Sequence, residues 1–343
     1  MRALIAERSI IVCCGPGGVG KTTASAAIAL AASRLGRRAV VVTVDPARRL
    51  ADALGLSGGL GNEPVLVPVS AAGPGELWAM MLDPAATFDE VVRAHASSDE
   101  QASRILANRF YRNISERLSG TQEYMAAEKL HQLHHDQRFD LVVVDTPPSR
   151  NALDVLDAPE RLSRFLDHRL YRTLVSPAKG PMRLVNTAAQ LFLRSASKVV
   201  GGQVLADAVA FFKAFDGMEA GFRARSTEVL ALFRSAETAY VVVTAPRHDR
   251  VAEVEWLLDR LTERGTTPAA LVVNRVHPSF GALVAAGVGP AFENLRQLAA
   301  VSEAESAVIL RLKQRAGSLP TVTIPLAPTE VALEDVAARL VGG

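Results

Sequence analysis

The chain has 343 residues, 49% hydrophobic and 22% charged, the composition of an ordinary globular protein with room for a large core. That length fits two domains, or one domain with a big insert. Its 38 basic and 36 acidic side chains leave a formal charge of +2, which makes no case for nucleic-acid binding, and two cysteines build no disulfide framework.

Met1 to Ile10 carries Arg2, Glu7 and Arg8 and no secretory apolar stretch. No run of about eighteen apolar residues occurs, so no transmembrane segment is expected. The expected location is the cytoplasm, with peripheral association at a membrane as a variant. Ile10 to Cys14 reads as an apolar strand that runs into Gly15-Pro16-Gly17-Gly18-Val19-Gly20-Lys21-Thr22, and Thr23 to Ser33 reads as an Ala-rich helix. Strand, glycine loop and helix are the context in which G-x-x-x-x-G-K-[ST] marks a polyphosphate site. Glycines let successive N–H groups turn around the phosphates, and the helix N-terminus adds partial positive charge. Gly17, Gly18, Val19, Gly20, Lys21, Thr22 and Thr23 are therefore candidate nucleotide-binding residues. Lys21 would reach the β/γ-phosphate oxygens and Thr22 would ligate Mg²⁺. Cys13 and Cys14 alternate across the strand, so they read as small core residues and not as a metal pair.

Arg37 to Val44 is a β-branched run ending at Asp45-Pro46-Ala47, as a strand buried on both faces would be. Arg48 to Leu54 continues as a short helix. Val65 to Val69 and Leu77 to Leu82 read as further strands, and Pro84 after Asp83 opens a helical region to about His135, with breaks near Ser97-Ser98 and Ser119-Gly120. Phe139 to Val144 is the third buried strand and delivers Asp145-Thr146-Pro147-Pro148. Residues 151–235 are again helical. Strands at Tyr240 to Thr244, Ala270 to Val273 and Thr321 to Ile324 alternate with helices at Asp249 to Arg264, Ala291 to Arg315 and Glu330 to Leu340.

The fold class expected from this alternation is α/β, a P-loop NTPase core with a mostly parallel sheet flanked by helices. The long helical stretches cannot all lie on the sheet, so they form an inserted all-helical subdomain. The expected division is core 1–82, helical 83–138, core 139–150, helical 151–235 and core 236–343. Three strand ends carry Asp45, Asp145 and Asn274 toward the phosphate loop. Asp145 is placed as a Walker-B aspartate, holding Mg²⁺ through a water. Asp45 is a candidate for orienting the attacking water, or merely a capping aspartate.

These features resemble the deviant Walker-A ATPases of the ArsA and tail-anchored-protein-targeting (GET-pathway) family, and within it the ArsA-like ATPase subunits of actinobacteria. The matching residues are Gly15 to Thr23, then Asp45-Pro46-Ala47-Arg48 as switch I, and Asp145-Thr146-Pro147-Pro148-Ser149-Arg150-Asn151 as switch II, with Val273-Asn274 at a later strand end. The resemblance implies an ATP-binding, Mg²⁺-dependent ATPase subunit of a dimer, with catalytic Asp45 and Lys21. It implies that Asn274 and the backbone around Pro325 hold adenine. It also implies that nucleotide state moves the helical subdomain, which takes a hydrophobic protein client. The family's additional loop lysine is Pro16 here, so the resemblance points to a related partner subunit that supplies the lysine. The Gly-His of switch II is Arg150-Asn151 here, which bears on coupling to the helices. The zinc-clasp cysteines are absent, so no zinc is expected.

Residues 160–200 interleave Arg161, Arg164, Arg169, Arg172, Lys179, Arg183, Arg194 and Lys198 with apolar residues, and Val204 to Phe215 is apolar. Such helices line a client groove or lie on a membrane, or they simply pack on each other. The alternative functions are a catalytically weak nucleotide-binding regulatory subunit and the motor of an anion-transport system.

Overall fold

The computed structural model describes residues 1–45, 47–68, 73–117, 121–147, 153–167, 202–266, 268–280, 289–327 and 332–342. In chain order the elements are α1 (Arg2–Glu7), β1 (Ile10–Cys14), α2 (Lys21–Arg34), β2 (Arg38–Thr43), α3 (Arg49–Ala53), β3 (Val65–Leu66) and β4 (Glu76–Met81). The helices α4 (Pro84–His95), α5 (Asp99–Leu106), α6 (Arg109–Arg117) and α7 (Thr121–His135) follow, then β5 (Leu141–Asp145), α8 (Asp154–Asp167), α9 (Gly202–Ala214) and α10 (Glu219–Arg234). The last are β6 (Thr238–Thr244), α11 (His248–Glu263), β7 (Pro268–Val276), α12 (Pro290–Ala316), β8 (Thr321–Pro325) and α13 (Leu333–Gly342). The chain divides into one compact unit of Met1–Leu82, Gln132–Leu153 and Phe233–Gly343, and a second of Asp83–His131 and Asp154–Leu232.

The first unit holds an eight-stranded sheet in the order β3-β4-β2-β5-β1-β6-β7-β8. Every pairing is parallel except β3 with β4. β1, β5 and β6 are buried at every position, which is why their sequences are mostly apolar and rich in Ile and Val without alternation. The register sets the site: Asp145 lies across from Cys13 of β1 on one side and Thr43 of β2 on the other. α2 carries fully buried Ala26, Ala27, Ala29, Ala31 and Ala32 beside Ile28 and Leu30. Methyl side chains let this helix lie close to the sheet while covering it with α13, whose Ala337 and Leu340 belong to the same core.

The second unit is helical among the described residues. Asp83 caps α4 by accepting from the Ala85 and Ala86 N–H groups, with Pro84 at the first turn, and Ser98 accepts from Gln101 N–H to start α5. A further break falls where Asn108 caps α6, its Oδ1 accepting from Phe110 and Tyr111 N–H groups. The core is an aromatic cluster in which Phe215 and Phe222 have ring centroids 4.9 Å apart and Phe88 and Tyr111 5.0 Å apart. Leu166, Phe211 and Phe215 of the basic, apolar region are buried in it. Arg161 pairs with Asp154 and Arg223 with Asp167. These three apolar side chains are therefore used in packing. Arg169, Arg172, Lys179, Arg183, Arg194 and Lys198 lie outside the described residues. Among the described residues no helix is long and apolar enough to cross a membrane.

Cys13 and Cys14 are both buried, and burial pushes the Cys14 thiol up to about 12 and the Cys13 thiol further still. The thiolate is the reactive form, so neither should react with a thiol reagent at pH 8 in the folded protein, and both should react on unfolding in urea. Stoichiometric labelling of the native chain would contradict this placement.

Candidate nucleotide site

β1 leaves the sheet at Gly15. A Cβ there would stand 2.0 Å from the Val243 carbonyl oxygen of β6, so only glycine fits at the strand exit. Gly20 ends the loop as the N-cap of α2, in the left-handed conformation at φ 92°. No side chain caps α2, and its first turn has no acidic residue. Its leading N–H groups and partial positive charge are thus left for an external anion. The Lys21 ammonium, itself buried, donates to the Pro16 carbonyl across the loop at 2.9 Å. Burial pulls its pKa down, against the opposing charge of Asp145.

Asp145 is the central acidic group. It is buried, and its Oδ2 accepts from the Thr22 hydroxyl at 2.7 Å and the Thr43 hydroxyl at 3.0 Å. Its Oδ1 is buried with no hydrogen-bond partner among the described residues. Burial raises its pKa, while the two hydroxyls and Lys21 oppose the rise. A hydroxyl beside a carboxylate with a spare oxygen is a hard-oxygen donor set, which fits Mg²⁺. Among the described residues no cluster of three His, Cys, Asp or Glu side chains is placed to hold a metal by itself. The cation would rely on substrate phosphates for other ligands, as Mg²⁺ commonly does.

The other residues singled out in the sequence divide. Asp45 follows β2, and its N–H donates to Thr43 Oγ1 at 3.2 Å. Its carboxylate is engaged: Oδ1 accepts from Ala47 N–H at 3.0 Å, and Oδ2 from the largely exposed Arg49 at 2.9 Å. Asn274 reaches the loop: its Nδ2 donates to the Val19 carbonyl at 2.9 Å. Pro325 is paired with Val276, and Leu326 N–H donates to the Val276 carbonyl, so the β8 end lies beside Asn274. Gly17, Gly18 and Thr23 lie in the loop and first helical turn. Pro46 and the Pro148 to Asn151 part of the acidic strand end lie outside the described residues.

Two contributors went unread in the sequence. Thr43 had a signal, a polar residue closing the run Ala39-Val40-Val41-Val42. Arg275 had none. Its Nη1 donates to the Gly18 carbonyl at 3.0 Å, and it is the sole positive-φ residue other than glycine among the described residues, at φ 60°.

A parallel α/β core, a glycine loop at a helix N-terminus and a buried aspartate beside the loop threonine define a P-loop ATPase. The chain belongs to the anion-transporting ATPase (ArsA_ATPase) family, whose family model matches residues 8–341. It is similar to "ATPase GET3" of Malassezia globosa, at 28% identity over 78% of this chain and 72% of that protein. It is also similar to "ATPase get3" of Aspergillus terreus, at 27% over 76% and 71%, and to "ATPase ASNA1 homolog" of Cryptosporidium parvum, at 27% over 76% and 63%.

Asp145→Asn keeps acceptors for both threonine hydroxyls and removes a buried charge. The ligand-free variant should unfold at higher urea than the parent at pH 7, yet lose the Mg²⁺-dependent gain in nucleotide affinity. A variant that is less stable and still tightened by Mg²⁺ would count against the assignment.

Proposed function

We propose that the chain is a Mg²⁺-dependent ATP-hydrolysing subunit of an ArsA/GET-like dimer. The observation that carries this reading is the Asp145 carboxylate, buried against Thr22 with one oxygen that has no donor among the described residues. Gly17, Gly18, Val19 and Gly20 with Lys21, Thr22 and Thr23 hold the phosphates. On arrival of the γ-phosphate, Lys21 exchanges the Pro16 carbonyl for phosphate oxygens, a stronger charge-assisted partner. Bound Mg²⁺ supplies neutralisation of phosphate charge, with Thr22 as ligand and Asp145 acting through water. Asp45 orients the attacking water and must first release Arg49. Asn274 and Pro325 form the adenine side.

Pro16 offers no donor where the resembling ATPases carry a lysine that reaches the partner's nucleotide. This supports a heteromer in which a related subunit supplies that lysine. Coupling to the helical segments, and through them to a hydrophobic protein client, rests on the resemblance and on the composition of residues 160–200. A second reading, the motor of an anion-transport system, is favoured by the description of the matching family. A chain of low activity serving as a regulatory nucleotide sensor is the third.

Turnover separates these readings. Lys21→Ala should lower ATP hydrolysis at least about a hundredfold, the scale of losing one transition-state charge contact. Pro16→Lys should raise turnover of the isolated chain, on the order of 10³-fold if the added ammonium acts as a trans-acting cation does. An unchanged rate in Pro16→Lys would remove the argument for a lysine-donating partner.

A further inference from the structure

A loop that turns its N–H groups toward an anion must turn carbonyls outward, and an outward carbonyl without a donor leaves the loop free to collapse. β7 meets this need. Its pairing with β8 slips between Val273 and Val276, so Asn274 and Arg275 are bulged out of the ladder. From the bulge, Asn274 Nδ2 donates to the Val19 carbonyl at 2.9 Å and Arg275 Nη1 to the Gly18 carbonyl at 3.0 Å. The two are tied together, because Asn274 Oδ1 accepts from Arg275 N–H at 2.9 Å. The loop is cut to fit: a Cβ on Gly20 would lie 2.2 Å from Asn274 Nδ2.

Arg275 holds this position at φ 60°, which a long L side chain adopts only when its surroundings impose it. The surroundings do so on the C-terminal side as well. Val276 is locked to Pro325, and the His277 N–H and Nδ1 both meet the Glu305 carboxylate of α12, at 2.8 and 2.7 Å. The strain is thus kept at an exposed residue that touches the phosphate loop.

We infer that Arg275, with Asn274, is a positioning residue that clamps the Gly18 and Val19 carbonyls and so keeps the phosphate cradle open before nucleotide arrives. The clamp acts through the loop and touches no reacting atom. It rests on the nucleotide site proposed above. It also gives the Asn274 amide a role toward the loop; Arg275 is then the contact that stays when a base engages Asn274.

The test compares the full-length chain with Arg275→Gly and Arg275→Lys, measuring ADP affinity with Mg²⁺ by calorimetry, the KM and kcat for ATP, and the thermal midpoint. Glycine removes the strain and the side chain together. It should raise the midpoint or leave it unchanged, weaken ADP about tenfold, the worth of one charge-assisted hydrogen bond, and raise KM by the same factor with kcat within about twofold. Lysine keeps one donor for the Gly18 carbonyl and should recover most of the affinity. ADP affinity in Arg275→Gly within twofold of the parent would overturn the clamp, and so would an affinity loss that merely tracks a lowered midpoint. If the parent itself binds no ADP, the nucleotide site falls and the clamp with it.

Discussion

A carboxylate carried into a protein interior must be answered by donors, and the answer at Asp145 organises this molecule. One hydroxyl comes from Thr22 at the start of α2 and one from Thr43 at the end of β2, both onto Oδ2. That single oxygen fixes the relative level of three adjacent elements, and the parallel register of β1, β5 and β2 follows the same line through Cys13, Asp145 and Thr43. Oδ1 is buried with no donor among the described residues. Leaving a buried acceptor without a donor costs about 1–3 kcal/mol in an ordinary protein. Its position beside the Thr22 hydroxyl, at the mouth of a glycine loop, is what supports the proposed cation site.

The groups of the candidate site make contacts with the protein itself. Lys21 rests on the Pro16 carbonyl, Asp45 on Arg49, and the loop carbonyls on Asn274 and Arg275. These contacts differ in strength. The Asp45–Arg49 pair involves a largely exposed arginine and contributes ~0–1 kcal/mol, so it yields readily to a phosphate. The Lys21 contact is buried, yet it joins an ammonium to a neutral carbonyl and gives way to a more highly charged partner. The bulge that carries Arg275 is backed by β8 at Val276 and by α12 at His277.

The sequence made the sheet legible because strands buried on both faces have little choice of residue. The runs at β1, β2, β5 and β6 announce themselves, and G-x-x-x-x-G-K-[ST] fixes which strand is central. Edges were less readable. β3 is only Val65–Leu66, and α1, six residues long, is too short to show a helical period. The Ser97-Ser98 break was visible as a polar interruption, and Asn108, which caps α6, offered a similar signal unread. In the site, Lys21, Thr22 and Asp145 could be placed from spacing alone. The partners of Asn274 could not, because they depend on a register slip between strands distant in sequence. Arg275 lay beyond reach for the same reason: nothing in Val-Val-Asn-Arg-Val shows which residue will take a left-handed turn.

The central claim is that one preformed cradle per chain binds a nucleotide and gains from Mg²⁺ through Thr22 and Asp145. Calorimetric titration of the purified chain with ADP, in the presence and absence of Mg²⁺, tests it most directly. The account predicts saturation at one ADP per chain, with clearly tighter binding when Mg²⁺ is present. An absence of saturable binding, or an affinity indifferent to Mg²⁺, would contradict it.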